Sequence, residues 1–399
     1  MSLVQSILVV MLTGLGVLSF LSVVWQFLVA RWFPLHQRNS RVGITPGVTF
    51  LKPLRGCDAH TRACLRSWLQ QAYSGPIQIL FLVQDPADPV CDCVRTLLLE
   101  FPLANARLHL FQGVSGANGK ASQLAGAEVY IEHDLVLVSD ADVRVSADFI
   151  AQMVIPMGDC QVGLVNCFYR LANPINNAMK WEAIATNVDF WSQVLQSRML
   201  APLDFALGAA FLVRRTALDE IGGFRSLTEY LADDFQLGHR IASRGHRIEI
   251  ASLVVDCFEL PSGWREVWLH QLRWNRTIRV CRPFPYAASI FANGTFWPLL
   301  ASLAAGLTSS VSQTQFIQVT SVMVGFISLR AVMARCLAQR LAARPGFAID
   351  SYLFILWMSP LKDLLGVLIW IAAFLGNQVV WRGLVYRVKG DGRLTRLNH

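Results

Sequence analysis

Hydrophobic positions fall into three regimes along the chain. From Ile7 to Ala30 no charged residue interrupts the apolar run, which is long enough for a helix to span about 30 Å of hydrocarbon. From about Gly43 to Pro283, short apolar runs alternate with amphipathic stretches. Val48–Leu51, Ile77–Val83, Leu108–Phe111 and Leu135–Ser139 predict strands, while Thr61–Gln71 and Cys91–Glu100 predict helices. That alternation predicts an α/β domain, a mostly parallel sheet with helices on both faces. From Tyr286 the pattern turns apolar again, and Tyr286–Leu307 and Phe316–Ala334 predict membrane helices. The last apolar stretch, Phe347–Trp381, contains Pro360, Lys362 and Asp363. Charges at membrane depth are costly, so two short passes or a re-entrant hairpin turning near Lys362-Asp363 are expected.

Composition agrees with this layout. The 399 residues are 54% hydrophobic and only 16% charged, with mean hydropathy +0.42, whereas a soluble domain is about 25% charged. The formal net charge of +8 sits largely beside the apolar segments: Arg31, Arg38, Arg41, Lys52 and Arg55, then Arg335, Arg340 and Arg344, then Arg382, Arg387, Lys389, Arg393 and Arg396. Such flanks favour an anionic lipid bilayer over nucleic acid and put the α/β domain in the cytoplasm. Met1–Ser6 lack Lys or Arg and no cleavage site follows, so the first helix reads as an uncleaved anchor. Nine cysteines without C-x-x-C spacing indicate neither a disulfide framework nor a zinc site. The expected organisation is an anchor and basic flank over residues 1–42, an α/β domain over 43–284, transmembrane or re-entrant helices over 285–381, and a basic cytoplasmic tail over 382–399.

Within the polar middle, carboxylates stand where strands end. The run Leu135–Ser139 leads into Asp140-Ala141-Asp142, and ligands of open α/β sheets bind at the carboxyl ends of strands. Two hard oxygen donors there suit Mg²⁺ or Mn²⁺ against a diphosphate, although any acidic turn can produce the same triplet. Asp85 ends another apolar run and could accept from a uracil N–H or a ribose hydroxyl; equally, Asp85-Pro86 opens a turn. Lys120 follows a loop rich in small residues beginning near Gly113, at the start of a helical pattern where an anion can be met. Gly208 precedes an apolar run and allows close backbone approach to a sugar. Asp233-Asp234 open a helix, where acids cap by charge alone or one of them acts as a general base. Arg273-Trp274, three residues after His270, lie in a helical segment beside the membrane, suited to neutralising a leaving diphosphate and walling an acceptor, or to anchoring at the interface.

As an ordered set these stretches resemble the membrane-bound, inverting glycosyltransferases of the ceramide glucosyltransferase family, which share a D, D, D, (Q/R)xxRW pattern with cellulose and hyaluronan synthases. The matching segments are Phe50–Gly56, Val83–Asp85 with Asp88-Pro89, Asp140–Asp142, Tyr230–Asp234 and Leu272–Trp274. The resemblance implies a GT-A fold, Rossmann-like with a mostly parallel sheet, flanked by N- and C-terminal transmembrane helices. It implies nucleotide-sugar binding by Lys52, Pro53, Asp85, Lys120, Asp140, Gly208, His270, Arg273 and Trp274. It assigns a divalent metal, Mg²⁺ or Mn²⁺, to Asp140 and Asp142, and catalysis to Asp234 with Asp233. The chain departs from the family in one place: its last motif normally begins with Gln or Arg, where His270 stands and Gln271 follows. Val165–Asn173, Trp191–Val194 and Asp204–Gly208 look most like a bacterial hopanoid-associated branch, which implies an inner-membrane enzyme moving N-acetylglucosamine from UDP-N-acetylglucosamine to bacteriohopanetetrol. The ceramide branch instead implies glucose from UDP-glucose and a ceramide acceptor. A processive polysaccharide synthase and a catalytically inert membrane scaffold or transporter are the competing readings.

Overall fold

A computed structural model describes residues 2–39, 45–111, 116–309, 311–342, 349–381 and 383–397; Arg41, Gly113, Arg344, Phe347 and Arg382 lie outside them. The chain divides into an α/β unit (Pro34–Pro174, Leu200–Pro261 and Leu384–His399) and a helical unit (Met1–Phe33, Ile175–Met199 and Ser262–Gly383).

The α/β unit is built on an eight-stranded sheet: β1 (Val48–Leu54), β2 (Ile77–Val83), β3 (Ala106–Leu110), β4 (Leu135–Ser139), β5 (Val143–Arg144), β6 (Val162–Leu171), β7 (Ala210–Arg214) and β8 (Arg247–Cys257). Their spatial order is β3-β2-β1-β4-β7-β6-β8-β5. The first four positions are parallel, β7 runs antiparallel between β4 and β6, and β6 and β8 are parallel to each other. Every residue of β1 and β4 is buried, as expected of strands covered on both faces. The carboxyl ends of β1, β2 and β4 and the amino end of antiparallel β7 therefore share one edge of the sheet.

Three of the four predicted strands lie within two residues of their expected limits, and β1 runs on to Leu54. Its pairing with β2 continues to Leu54↔Val83, while its ladder to β4 ends at Leu51↔Val138. Pro53, which has no N–H to donate, comes after that second ladder has stopped. Strands β6 and β8 were not anticipated, because Asn166, Arg170, Glu249 and Asp256 interrupt their apolar runs. Buried Asn166 donates to the Phe205 carbonyl (3.2 Å) and accepts from the Leu207 N–H (2.9 Å), and Arg170 pairs with Asp256 at 2.6 Å. The basic tail expected over residues 382–399 is part of this unit from Leu384 onward. Leu384–Val388 and Leu394–Arg396 form an antiparallel hairpin, whose Leu394 N–H donates to the Glu229 carbonyl at 2.7 Å.

In the helical unit, Leu3–Trp32, Gln313–Ala342 and Leu353–Phe374 are long and apolar enough to cross a membrane. A fourth span results if the pair Pro283–Ala292 and Phe296–Leu307, bent by 53°, is counted as one. Asn293 makes that bend by accepting from the N–H groups of Thr295 (3.2 Å) and Phe296 (2.9 Å). Residues 175–199 and 262–284, assigned above to the α/β domain, belong to this unit: the first bury Trp181, Ile184, Val188, Trp191 and Leu195, a hydrophobic face needing partners of its own.

The expected turn at Lys362-Asp363 is absent. Ile349–Phe374 is one helix with Pro360 inside it, and the hydroxyl of neighbouring Ser359 bonds back to the Ile355 carbonyl at 2.6 Å. The charges are accommodated by mutual neutralisation. Arg330 contacts Asp189 (2.6 Å) and Asp363 (3.3 Å), Lys362 contacts Asp363 (2.8 Å) and Asp189, and Thr295 donates to Asp363 (2.7 Å). Two cations balance two anions, so no net charge is buried. Removing one partner strands the others, which for buried pairs costs roughly 3–5 kcal/mol. Asp363→Asn should therefore lower the unfolding temperature in detergent or nanodiscs, while Lys362→Met combined with Asp363→Leu should regain most of the loss. Equal loss in the single and double variants would contradict charge balance as the reason for the unbroken helix.

Candidate active site

Strand β4 delivers Ser139 to the sheet edge, and Asp140–Asp142 turn the chain into β5. The turn is fixed from several sides: Asp140 N–H donates to the Ala209 carbonyl (3.0 Å), and Phe258 N–H to the Asp142 carbonyl (3.0 Å). Beneath it lies Lys52 with no exposed surface. Its ammonium donates to Ser139 Oγ (3.2 Å), to the Asp140 carbonyl and to the Val143 carbonyl (3.4 Å), over the Trp68 ring at 5.0 Å. Burial pulls the Lys52 pKa down to about 8, against the pull of Asp142 and Asp140. Lys52 is thus a brace under the acidic turn, and its ammonium reaches a ligand only through that turn. Pro53 is likewise buried.

The second half of the site comes from Asp233–Ser243, a helix with no side-chain cap at Ala232. It can press against residues 205–208 because two glycines permit the approach. A Cβ on Gly238 would stand 2.3 Å from Ala206 N, and one on Gly208 would stand 2.6 Å from Asp234 Oδ2. Asp234 is thereby held beside Gly208, just ahead of β7 and next to Ala209, whose carbonyl accepts from the Asp140 N–H.

Lys120 joins the two halves. It lies in the first turn of the helix Gly119–Ala127, and its ammonium contacts Asp140 Oδ1 at 2.6 Å and the Gly208 carbonyl at 3.3 Å. Burial lowers its proton affinity, but Asp140, Asp233 and Asp234 together hold it above the ordinary lysine range. Asp140, Asp142, Asp233, Asp234, Lys120, Lys52 and Gly208 are therefore one electrostatic assembly at one sheet edge. Loss of water around Asp234, then the charge of Asp233, pushes its carboxyl up to about 6. Burial, then the charge of Asp140, does the same to Asp142, also to about 6. Four carboxylates against two lysines leave two negative charges uncompensated. Hard oxygen donors with that deficit fit a divalent cation, which Asp140 and Asp142 on one turn would hold.

The remaining predicted residues are not part of that assembly. Asp85 follows β2 at the same sheet edge, exposed, with Oδ1 accepting from the Ala87 N–H at 2.9 Å, the turn-forming alternative. His270, Arg273 and Trp274 are on the helix Trp264–Cys281 of the helical unit. There His270 Nδ1 pairs with Glu182 Oε1 at 2.7 Å, and Gln271 donates to the same oxygen at 2.8 Å. Trp274 packs edge-on to His270, ring centroids 5.0 Å apart. Glu182 was missed because a lone acid in the short, largely buried helix Asn177–Ile184 carries no signal of its own.

Asn118 was missed too. Fully buried, it caps the Lys120 helix by accepting from the N–H groups of Lys120 (3.0 Å) and Ala121 (3.1 Å). It also donates to the Tyr230 carbonyl (2.9 Å) and Asp233 Oδ1 (3.2 Å). An Asn immediately before Gly119-Lys120 is an N-cap signal that was there to be read.

Known proteins bear on this geometry as follows. The chain is 24% identical over 223 residues to ceramide glucosyltransferase 3 of Caenorhabditis elegans (55% of this chain, 48% of the relative). It is 30% identical over 125 residues to the ceramide glucosyltransferase of Candida albicans (29% and 23%). It spans about half the length of the Caenorhabditis elegans relatives it matches. In fold it is similar to the mannosyltransferase PcManGT of Pyrobaculum calidifontis, solved with GDP-Man and Mn²⁺, at TM-score 0.50 and 18% identity, covering 93% of this chain and 98% of that one; the α/β unit is thus GT-A-like. The sequence profile described as "Glycosyl transferase family 21" matches residues 10–394, and the chain belongs to that glycosyltransferase family.

Proposed function

We propose that this protein transfers a single sugar from a UDP-sugar to the hydroxyl of a membrane lipid, with inversion at the anomeric carbon. The observation that carries the reading is the Lys120 contact with Asp140 in the electrostatic field of Asp233 and Asp234, since three separate stretches of sequence supply one pocket's charge. Asp234 is the proposed base. The acceptor O–H gives its proton to the Asp234 carboxylate while its oxygen bonds to the anomeric carbon, and the bond from that carbon to the diphosphate breaks, releasing UDP. Asp140 and Asp142 would hold Mg²⁺ or Mn²⁺, which when bound offsets diphosphate charge; PcManGT is solved with Mn²⁺. Lys120 orients Asp140, Lys52 braces its turn, and Gly208 leaves room for the sugar. The motif resemblance assigns His270 and Arg273 to the diphosphate and Trp274 to the acceptor.

For the finer substrate we propose N-acetylglucosamine and a hopanoid polyol, on the resemblance of Val165–Asn173, Trp191–Val194 and Asp204–Gly208 to the hopanoid-associated branch. The second reading, glucose to ceramide, is favoured by the names of the matched relatives. The proposed setting is the bacterial inner membrane with the α/β unit facing the cytoplasm. Purified protein given UDP-glucose or UDP-N-acetylglucosamine, each with bacteriohopanetetrol or ceramide and Mg²⁺ or Mn²⁺, decides by product mass. One N-acetylhexosamine on the hopanoid is expected; a hexose on ceramide selects the second reading, a ladder of sugars a processive synthase, and no product in any arm overturns lipid glycosylation.

Asp234→Asn should lower turnover by a factor on the order of 10²–10⁴, the usual contribution of a general base, while UDP affinity stays near wild type. Normal turnover would remove Asp234 from the mechanism. Because only the carboxylate accepts a proton, the wild-type rate should be full above the Asp234 pKa and fall as pH drops through about 6; a rate flat across that range denies the assignment. Asp142→Ala should weaken metal-dependent UDP binding by calorimetry, leaving metal-free binding unchanged. Equal affinity with and without metal in both proteins would count against Asp142 as a ligand.

A further inference from the structure

We propose that the C-terminal hairpin is a positioning element of the transferase site, with Arg393 and Tyr230 as its positioning residues; this rests on the reading of Asp234 as the base. The loop that delivers Asp233 and Asp234 has a structural problem. Both acids repel each other and Asp140, and Ala232 offers no side chain to cap the helix they begin. Something outside the helix has to hold its start in place.

Two supports grip the preceding loop from different parts of the chain. On one side Asn118 holds it, through its Nδ2 bonds to Tyr230 and Asp233 and its own N–H bond to the Thr228 carbonyl at 2.8 Å. On the other side is the hairpin, more than 150 residues later in the chain. Leu394 N–H donates to the Glu229 carbonyl (2.7 Å), Leu231 N–H donates to the Gly392 carbonyl (3.4 Å), and Tyr230 bridges antiparallel to Arg393. These backbone contacts add the hairpin to the loop as a strand is added to a sheet edge. The Tyr230 ring lies within cation–π range of two guanidinium groups, Arg240 at 4.9 Å and Arg393 at 5.8 Å, and Arg393 Nε donates to its hydroxyl at 3.3 Å. Arg240 is on the same helix as Asp234. Tyr230 thus links the hairpin to both ends of the base-bearing segment, while buried Val388 and Leu394 give the hairpin a core of its own.

The test is a kcat-against-affinity split. Arg393→Ala and a chain ending at Gly383 should each lose kcat, the truncation on the order of 100-fold, which is what about 1 Å of misplacement of a reacting group produces. UDP affinity measured by calorimetry should stay within about 2-fold, a free-energy change of a few tenths of a kcal/mol, and the unfolding temperature should be unchanged for Arg393→Ala. Arg393→Lys, which keeps a cation over Tyr230, should recover most of the rate. In an Asp234→Asn background Arg393→Ala should cost nothing further. Unchanged kcat in both tail variants, or parallel loss of kcat, UDP affinity and unfolding temperature in Arg393→Ala, would overturn the proposal. Full activity of Asp234→Asn alone would instead overturn the base assignment, so the two failures are distinguishable.

Discussion

Electrostatic balance at one sheet edge governs this protein's architecture. Opposite unit charges about 4 Å apart attract by about 4 kcal/mol at an effective dielectric near 20, and like charges repel equally. Asp140, Asp142, Asp233 and Asp234 could not share a small region without a counter-charge, and Lys120 supplies it at 2.6 Å from Asp140. Its helix is in turn capped by Asn118, so the cation's position is set by backbone geometry as well as by attraction. Lys52 contributes differently, from below and through carbonyl oxygens. Burial first, and then the neighbouring acids, push the carboxyls of Asp142 and Asp234 up to about 6, and the two lysines leave the acids undercompensated, so the edge stays receptive to a divalent cation.

Steric permission matters as much as charge. The Asp234 helix can reach the sheet only because Gly238 and Gly208 lack Cβ atoms where Ala206 N and Asp234 Oδ2 stand. Strand β7, antiparallel between β4 and β6, makes that contact useful: its reversed direction puts its amino end, with Gly208, at the edge where β4 ends in Asp140. A parallel strand in that place would have carried Gly208 to the far edge.

The parts of this arrangement legible in the sequence are those with local signals. Apolar runs located β2 and β4 to the residue, the acids at their ends were visible at once, and the ordered motifs pointed to the family the profile confirms. What escaped was set by distant partners. Strand β6 hid behind Asn166 and Arg170 because their bonding partners, Leu207 and Asp256, lie far along the chain. The break expected at Lys362-Asp363 was drawn from the cost of isolated charges, and the sequence could not reveal that Asp189 and Arg330 would balance them. Lys52 shows the same limit. A lysine in a family motif reads as a ligand group, whereas burial makes it part of the foundation.

The helical and α/β units solve one problem with different means. In the helical unit, Arg330 and Lys362 meet Asp189 and Asp363 in equal number, and Thr295 adds a further donor to Asp363. Buried charge is cancelled there, as an apolar environment demands. At the sheet edge cancellation is incomplete, and four acids face two lysines. A fully balanced cluster holds helices together and has nothing left with which to bind; an unbalanced one is less stable by itself but retains attraction for a cation and a proton. By that criterion, applied to named charges alone, Asp140–Asp142 and Asp233-Asp234 are where we propose the chemistry, and Lys362-Asp363 belongs to the scaffold.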